Sequence, residues 1–272
     1  MCSATRVANI FTQNGVLGVT SIDDELFVLL EQVVYQVAVY SINDYQLLHH
    51  LNVPGFQPHA FNDMTSCVRY RCLYMSDGSN SCIHRYDLAS SDDLASSATS
   101  KWRVSGLPYG LSVTPSCNLL VTCHVPNKLV ELSADSGQCV REIALQFRIV
   151  YPCHSVLLTT GQFVVCHGIL TGSLHGVCVV GNYGKLTLYY GGQHGSHVGQ
   201  LNYPCHLAVD KYSQFIFVAD QYNDRLVMLS PTLEFVRYFS EGLSRPCRLH
   251  LHQATHRLFV GHLGGCVTVI SL

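Results

Sequence analysis

Short apolar runs, four to seven residues long and rich in Val, Leu, Ile, Phe and Tyr, recur along the chain between clusters of Gly, Asn, Asp and Ser. No stretch sustains the 3.6-residue period of an amphipathic helix, so the pattern predicts strands joined by turns. The clearest example lies between Gly192 and Arg237. There His206–Val209, Phe215–Ala219 and Arg225–Leu229 stand as three strand-like runs, a fourth follows at Glu234–Tyr238, and polar turns separate them.

Weaker copies of this unit fill most of the chain. Pro58-His59-Ala60-Phe61, Pro108-Tyr109-Gly110-Leu111, Pro152-Cys153-His154-Ser155, Pro204-Cys205-His206-Leu207 and Pro246-Cys247-Arg248-Leu249 each open one, and Val16-Leu17-Gly18-Val19 fills the slot without the proline. The spacing of about 42 to 52 residues is that of propeller blades. Second strands are predicted at Leu26–Leu30, Cys72–Ser76, Leu119–Cys123, Phe163–Cys166, Phe215–Ala219 and Arg257–Gly261. Third strands follow at Val34–Tyr40, Ile83–Leu88, Leu129–Leu132, Val177–Val180, Arg225–Leu229 and Cys266–Leu272. The Ser/Ala/Asp-rich Ala89–Ser100 reads as a long mobile loop, and the Gly-rich Gly191–Gly199 as a crossover between units. The sixth copy ends after three strands, while Arg6–Thr12 forms a lone strand before the first. Pairing these ends removes two open sheet edges. The expected fold is all-β: residues 1–272 form a single six-bladed β-propeller whose N-terminal strand completes the last blade.

Composition narrows the function. With 48% hydrophobic and 12% charged residues the chain can bury a large core. It has no apolar run of about eighteen residues to cross a membrane. The N-terminus lacks a basic segment followed by an apolar one, so a cytoplasmic location is expected. The thirteen cysteines recur at one place in the repeat, as small buried hydrophobes do, and reduced thiols are expected. A formal charge of −2, with only sixteen Lys and Arg, argues against a nucleic-acid partner, which needs a basic footprint.

One unit carries a family likeness. Gly191-Gly192-Gln193-His194-Gly195, Gly199-Gln200-Leu201, Tyr203-Pro204, Leu207-Ala208-Val209-Asp210, Phe217-Val218-Ala219-Asp220 and Asn223-Asp224-Arg225-Leu226 together resemble an NHL repeat. Tyr74-Met75-Ser76-Asp77 with Asn80, and Val121-Thr122 with Asn127-Lys128-Leu129, match in part. The chain departs from that pattern where the glycine after Pro-x becomes His154, His206 or Arg248, and where the second-strand aspartate becomes Cys123 or Cys166. The resemblance implies a non-catalytic protein-binding propeller of the kind that serves as the target-recognition module of RING-type ubiquitin ligases. RNA binding also occurs in that family. Other six-bladed propellers include metal-dependent lyases and lactonases, which supply the alternative reading.

In a propeller, the starts of inner strands and the loops after second strands share one face. That face is expected to gather Tyr109, His154, His206, Arg248 and His59 from strand starts and His124, His167 and His262 from second-strand ends, as a binding surface for a protein or peptide. Asp77 and Asp220 belong to the same rim, and their Asp-x-x-Asn pairs with Asn80 and Asn223 read as turn residues. No cofactor is called for. Zinc on His154 and His206 is the alternative, since imidazole and thiolate suit it, yet no C-x-x-C or H-x-x-x-H pair fixes two ligands locally. No carboxylate set for calcium is seen. The Cys153, Cys205 and Cys247 series reads as packing and not as catalytic thiols, and the chain is expected to be a monomer in isolation.

Overall fold

The computed structural model describes residues 5–32, 36–88, 99–169 and 173–272. Among them are β1 (Thr5–Phe11), then β2 (Val16–Ile22), β3 (Glu25–Leu30), β4 (Val37–Ser41) and β5 (Leu47–Leu51) in the first blade. The second blade is β6 (Met64–Cys67), β7 (Cys72–Asp77), β8 (Cys82–Asp87) and β9 (Thr99–Arg103), and the third is β10 (Pro108–Val113), β11 (Leu119–Cys123), β12 (Lys128–Leu132) and β13 (Cys139–Ala144). The fourth is β14 (Pro152–Leu157), β15 (Phe163–His167), β16 (His175–Val180) and β17 (Leu186–Gly192), and the fifth is β18 (Pro204–Val209), β19 (Ile216–Asp220), β20 (Arg225–Leu229) and β21 (Phe235–Phe239). β22 (Pro246–His252), β23 (Arg257–His262) and β24 (Cys266–Ser271) form the sixth, and β1 completes it. The six four-stranded antiparallel sheets make the expected propeller. The only helical segment among the described residues is the short 3-10 turn Gln221–Asn223, and no helix is long and apolar enough to cross a membrane.

Burial falls from axis to rim, which is why the strands read so differently in sequence. The inner strand β2 is buried at every position, whereas the outer strand β5 is almost wholly exposed. Inner strands have a blade on each side, so even their Ser, Thr, His and Arg are largely buried, while the near-continuous apolar runs belong to second strands such as β3 and β11. Cores form between neighbouring blades: Phe259 of the sixth meets Val28 and Tyr40 of the first, and Phe27 of the first meets Leu73 and Met75 of the second. The ring closes through β1, whose residues pair antiparallel with β24 from Thr5 opposite Ser271 to Phe11 opposite Cys266.

One irregularity recurs and sets the axis. In five inner strands the register shifts by one residue, between Val16 and Gly18, Pro108 and Gly110, Pro152 and His154, Pro204 and His206, and Pro246 and Arg248. Each bulge leaves one residue unpaired and re-aims the next. The bulged Cys153, Cys205 and Cys247 are buried, and the Cys247 thiol donates to the Val16 and Gly261 carbonyls. The described cysteines are free thiols, most of them buried.

Three boundaries differ from the sequence pattern. Pro58-His59 does not open a strand, because β6 begins at Met64. Counting back from the hairpin, where Cys67 pairs with Cys72 as Val113 pairs with Leu119, puts Asn62-Asp63 in the Pro-x slot. The third strand expected at Val34–Tyr40 runs from Val37, and residues 33–35 lie outside the described set. Of the expected loop Ala89–Ser100, residues 89–98 also lie outside it, while Thr99 and Ser100 belong to β9. The Gly191–Gly199 stretch does carry the chain from the fourth blade to the fifth.

Closure through β1 makes a direct prediction. Deleting residues 1–12 strips β24 of its outer partner and exposes both an edge and the buried face of Val267 and Val269. The truncated protein is expected to aggregate on size-exclusion chromatography. A truncated protein that elutes as the intact chain does, with the same melting temperature, would show that β1 is dispensable.

Candidate functional site

Six positions, one from each inner strand, converge on the axis: Gly18, Met64, Gly110, His154, His206 and Arg248. The column is too narrow for six side chains. A Cβ on Gly110 would lie 2.3 Å from the Cys153 carbonyl oxygen, and one on Gly18 would lie 2.6 Å from the Met64 Cβ. Two glycines therefore make room for the larger neighbours.

Arg248 fills the centre and is 4% exposed. Its Nε donates to the Leu17 carbonyl at 2.6 Å, one terminal nitrogen to the Cys247 carbonyl at 2.7 Å, and the other to the Asn62 carbonyl at 2.7 Å. Asp63 is its counter-ion, with an oxygen 3.4 Å from Nε. The carboxylate also accepts the Met64 and Leu111 backbone N–H groups at 2.9 and 2.8 Å. The His154 and His206 rings stack with centroids 3.7 Å apart. His154 Nε2 faces the Leu111 carbonyl at 3.0 Å and must donate to it. His206 Nδ1 accepts from the Leu249 N–H at 3.3 Å, so the network assigns the proton to Nε2, which faces Asp63 at 3.4 Å.

The charges follow from this packing. Burial alone would raise the Asp63 carboxyl, but His206, Arg248 and His154 overcome it and hold it at about 2. Burial pushes His154 down to about 3, so its ring is neutral at pH 7. Burial works against the Arg248 cation, yet Asp63 keeps it firmly protonated.

Asp63, His154 and His206 place one donor atom each within 4.8 Å of the others, which invites a metal. The hydrogen bonds argue against one. A metal needs a bare imidazole nitrogen directed at it, and His154 Nε2 is committed to the Leu111 backbone carbonyl, so an ion there would break a buried bond to the backbone. The Arg248 guanidinium already supplies the positive charge. Zinc on His154 and His206 does not fit this arrangement.

Above the plug lies the mouth. Tyr109 and Tyr203 join hydroxyls across the channel at 2.8 Å. Tyr109 stacks on His124 at 5.1 Å, and Phe61 and Tyr151 extend the aromatic surface on either side. Tyr109, His124 and Phe61, with His59, Leu107, Pro108 and Ile169, line a cavity of about 410 Å³. His59 Nε2 pairs with the Ser79 hydroxyl at 3.0 Å, and burial lowers His124, whose Nδ1 lies 3.4 Å from the Pro152 carbonyl. The lining carries no Lys, Arg, Asp or Glu. At the other end of the channel a smaller cavity of about 130 Å³ is bounded by Thr65, Ser112, His250 and Gln253.

The residues expected on one face thus separate into three sets. Tyr109, His59 and His124 meet at the mouth, although His59 arrives from a loop and not a strand start. His154, His206 and Arg248 lie beneath it inside the channel, each under 9% exposed, and so do not form an open rim. His167 and His262 are buried in their blades: His262 bonds the Ser244 carbonyl and the Thr268 hydroxyl at 2.7 and 2.9 Å, and His167 sits beside the Tyr189 ring, held at about 4 by burial. Asp63, Phe61, Leu107 and Tyr203 were not anticipated. Counting residues back from the Cys67–Cys72 hairpin would have found Asp63.

The plug predicts an acid sensitivity with a definite sign. His154 is neutral when folded and takes a proton near its ordinary 6.5 when unfolded, so stability is full above pH 6.5 and falls as pH drops towards 3. The slope is about 1.4 kcal/mol per pH unit for one such histidine. Asp63 acts in a lower window: its contribution is present above 3.8 and lost as pH falls towards 2. Urea unfolding at pH 7, 6 and 5 should show a flatter profile for His154→Gln than for the intact protein, and parallel profiles would refute this. Asp63→Asn leaves a buried guanidinium unpaired and is expected to cost about 3–5 kcal/mol at pH 7.

No family model matches the chain, and no curated protein sequence matches it. Solved structures do. A selenomethionine-substituted virginiamycin B lyase from Staphylococcus aureus superposes with a TM-score of 0.67 at 9% identity, covering 99% of this chain and 100% of that one. A catalytically inactive variant of that lyase with quinupristin gives 0.64 at 10% identity over 99% and 98% of the two chains. A streptogramin B lyase gives 0.67 at 10% over 97% and 96%. At such identity the likeness extends to the six-bladed fold alone.

Proposed function

We propose that this propeller is a non-catalytic binding module that takes an apolar or aromatic side chain of a protein or peptide partner into the pocket at the channel mouth. The observation that carries this is the uncharged aromatic cavity of about 410 Å³, within the ~300–1,000 Å³ common for ligand sites. Its surroundings offer exposed apolar anchors. Phe61 is 55% exposed and Leu107 42%, Val125 accepts the Leu107 N–H, and the 53%-exposed Tyr222 stacks on Tyr203. Uncharged aromatic surfaces of this kind favour apolar anchors over ionic ones. The NHL-like fifth blade is in keeping with a target-recognition role of the sort such propellers serve beside ubiquitin ligases.

A second reading, a lyase-like enzyme using the channel histidines, has the fold neighbours in its favour. Against it stands the use of His154 and His206 in hydrogen bonds that hold the axis together.

Selection of peptides from a random display library tests the first reading. Enriched sequences are expected to share a Trp, Tyr, Phe or Leu anchor, and Leu107→Asp with Tyr222→Ala should weaken them by about thirtyfold or more, the 2 kcal/mol of an interface hot spot. Tyr212→Ala, in the turn between β18 and β19 on the opposite face, should change nothing. Peptides without such an anchor, or binding lost with Tyr212→Ala and retained with the mouth variant, would place the site elsewhere. Conversion of a streptogramin by the intact protein but not by His154→Gln would favour the enzyme.

A further inference from the structure

Four carboxylates are buried among the described residues: Asp63, Asp77, Glu131 and Asp220. Three have a guanidinium. Arg248 faces Asp63, Arg141 Nε donates to Glu131 at 2.7 Å, and Arg225 Nε donates to Asp220 at 2.7 Å. Asp77 has none. Its neighbours are instead a thiol and an imidazole: Cys82 Sγ lies 3.9 Å from one carboxylate oxygen and His84 Nε2 lies 3.0 Å from the same atom.

The contrast with the fifth blade is position for position. Asp77 pairs with Cys82 across β7 and β8 as Asp220 pairs with Arg225 across β19 and β20. Asn80 and Asn223, three residues after each aspartate, donate to the aspartate oxygen at 2.8 Å in both blades. The frame is therefore the same, and Cys82 stands where the other blade keeps its cation. A buried carboxylate without a counter-charge is costly. Among the described residues, around Asp77 stand only the Asn80 backbone N–H and amide, the Cys82 thiol and the His84 ring, and no Lys or Arg pairs with it.

We propose that Asp77, Cys82 and His84 form a zinc site in the second blade, with a water as the fourth ligand of the tetrahedron. The three donor atoms lie within 4.8 Å of one another. Zinc held at the usual ~2.0–2.3 Å by oxygen, nitrogen and sulfur sets its tetrahedral ligands about 3.3–3.7 Å apart. The separations of 3.0 and 3.9 Å bracket that range, so small side-chain adjustments admit the ion. Carboxylate, thiolate and neutral imidazole together balance its two charges. Binding would carry the thiol proton and the His84 Nε2 proton to solvent and leave Nδ1, which has no hydrogen-bond partner, to bear the ring proton. Lys101 and Arg103 on β9 face the pair; they favour the thiolate while opposing the ion, and Lys101 Nζ is drawn off to the Gly55 carbonyl at 3.1 Å. The ion would clamp the hairpin whose turn supplies Gly78 and Ser79 to the mouth cavity.

Zinc alone is the probe. Chelator-stripped protein titrated in competition with a chromophoric chelator is expected to take up one equivalent. Cys82→Ser and His84→Gln should each weaken this by more than the about 10–100-fold that losing an outer partner of a ligand costs. His154→Gln should leave it unchanged, which separates this site from the channel cluster. Cobalt(II) gives a second readout that needs no variant: the intact protein should show a thiolate-to-cobalt charge-transfer band with tetrahedral d–d absorption. Absence of that band, uptake of less than one equivalent, or zinc retained by Cys82→Ser overturns the proposal.

Discussion

The Arg248 guanidinium is the interaction on which the rest depends. It stands on the sixth blade, donates to Leu17 in the first and to Asn62 beside the second, and faces Asp63. These blades meet where the ring must close. A propeller can fail at that seam in two places, the outer edge and the axis. β1 seals the outer edge by pairing with β24, and Arg248 ties the axis. A buried ion pair is weak evidence for net stability, because desolvation offsets its attraction. Its value here is specificity. A guanidinium with three carbonyl partners in three directions accepts only one arrangement of the surrounding strands.

That arrangement rests on a repeated backbone device. The bulge at the start of five inner strands turns one residue towards the neighbouring blade and the next towards the axis. Cysteine suits the first place, being small and apolar, which accounts for Cys153, Cys205 and Cys247. The second place is restricted by volume. Arg248, His206, His154 and Met64 occupy it in four blades, and Gly18 and Gly110 stand where a side chain would collide with a neighbour. The variation that departs from the NHL pattern is thus one packing solution distributed over six strands.

The blade count, the strand order and the closing strand were legible in the sequence because burial on both faces writes second and third strands as nearly unbroken apolar runs, and because turn residues mark their ends. The site was legible only in part. Pro58 imitates the proline that opens four other inner strands, and aligning on it placed His59 where Asp63 belongs. The axis then looked like a ring of histidines and one arginine with no acid, which suggested exposed ligands. With Asp63 in place the same residues form a closed, charge-balanced plug. No linear pattern reports whether Arg248 points into a channel or out of it, since the bulge that decides this leaves only a proline and a cysteine in the sequence. Tyr109 and His124 were found because both lie at the ends of recognisable strands, whereas Leu107 and Ile169 lie in connecting loops without a repeating pattern.

The plug also bears on what the fold can be used for. Streptogramin B lyases and this chain share the six-bladed fold at about a tenth of their residues identical, and a fold shared at that level does not carry an activity with it. Catalysis at an axis requires groups that can release or accept a proton without loss of structure. Here each such group also carries a structural bond. Protonating His154 would put a cation beside Arg248 in a buried site, and deprotonating Nε2 would set its lone pair against the Leu111 carbonyl. Protonating Asp63 would leave Arg248 without its counter-ion. Tyr109 and Tyr203, whose hydroxyls meet just above, are pushed well away from ionisation by burial. With the axis committed to cohesion, the proposed partner would meet the aromatic cavity over it, where Phe61, Tyr109 and His124 present ring surfaces and His59 and Ser79 the polar edge.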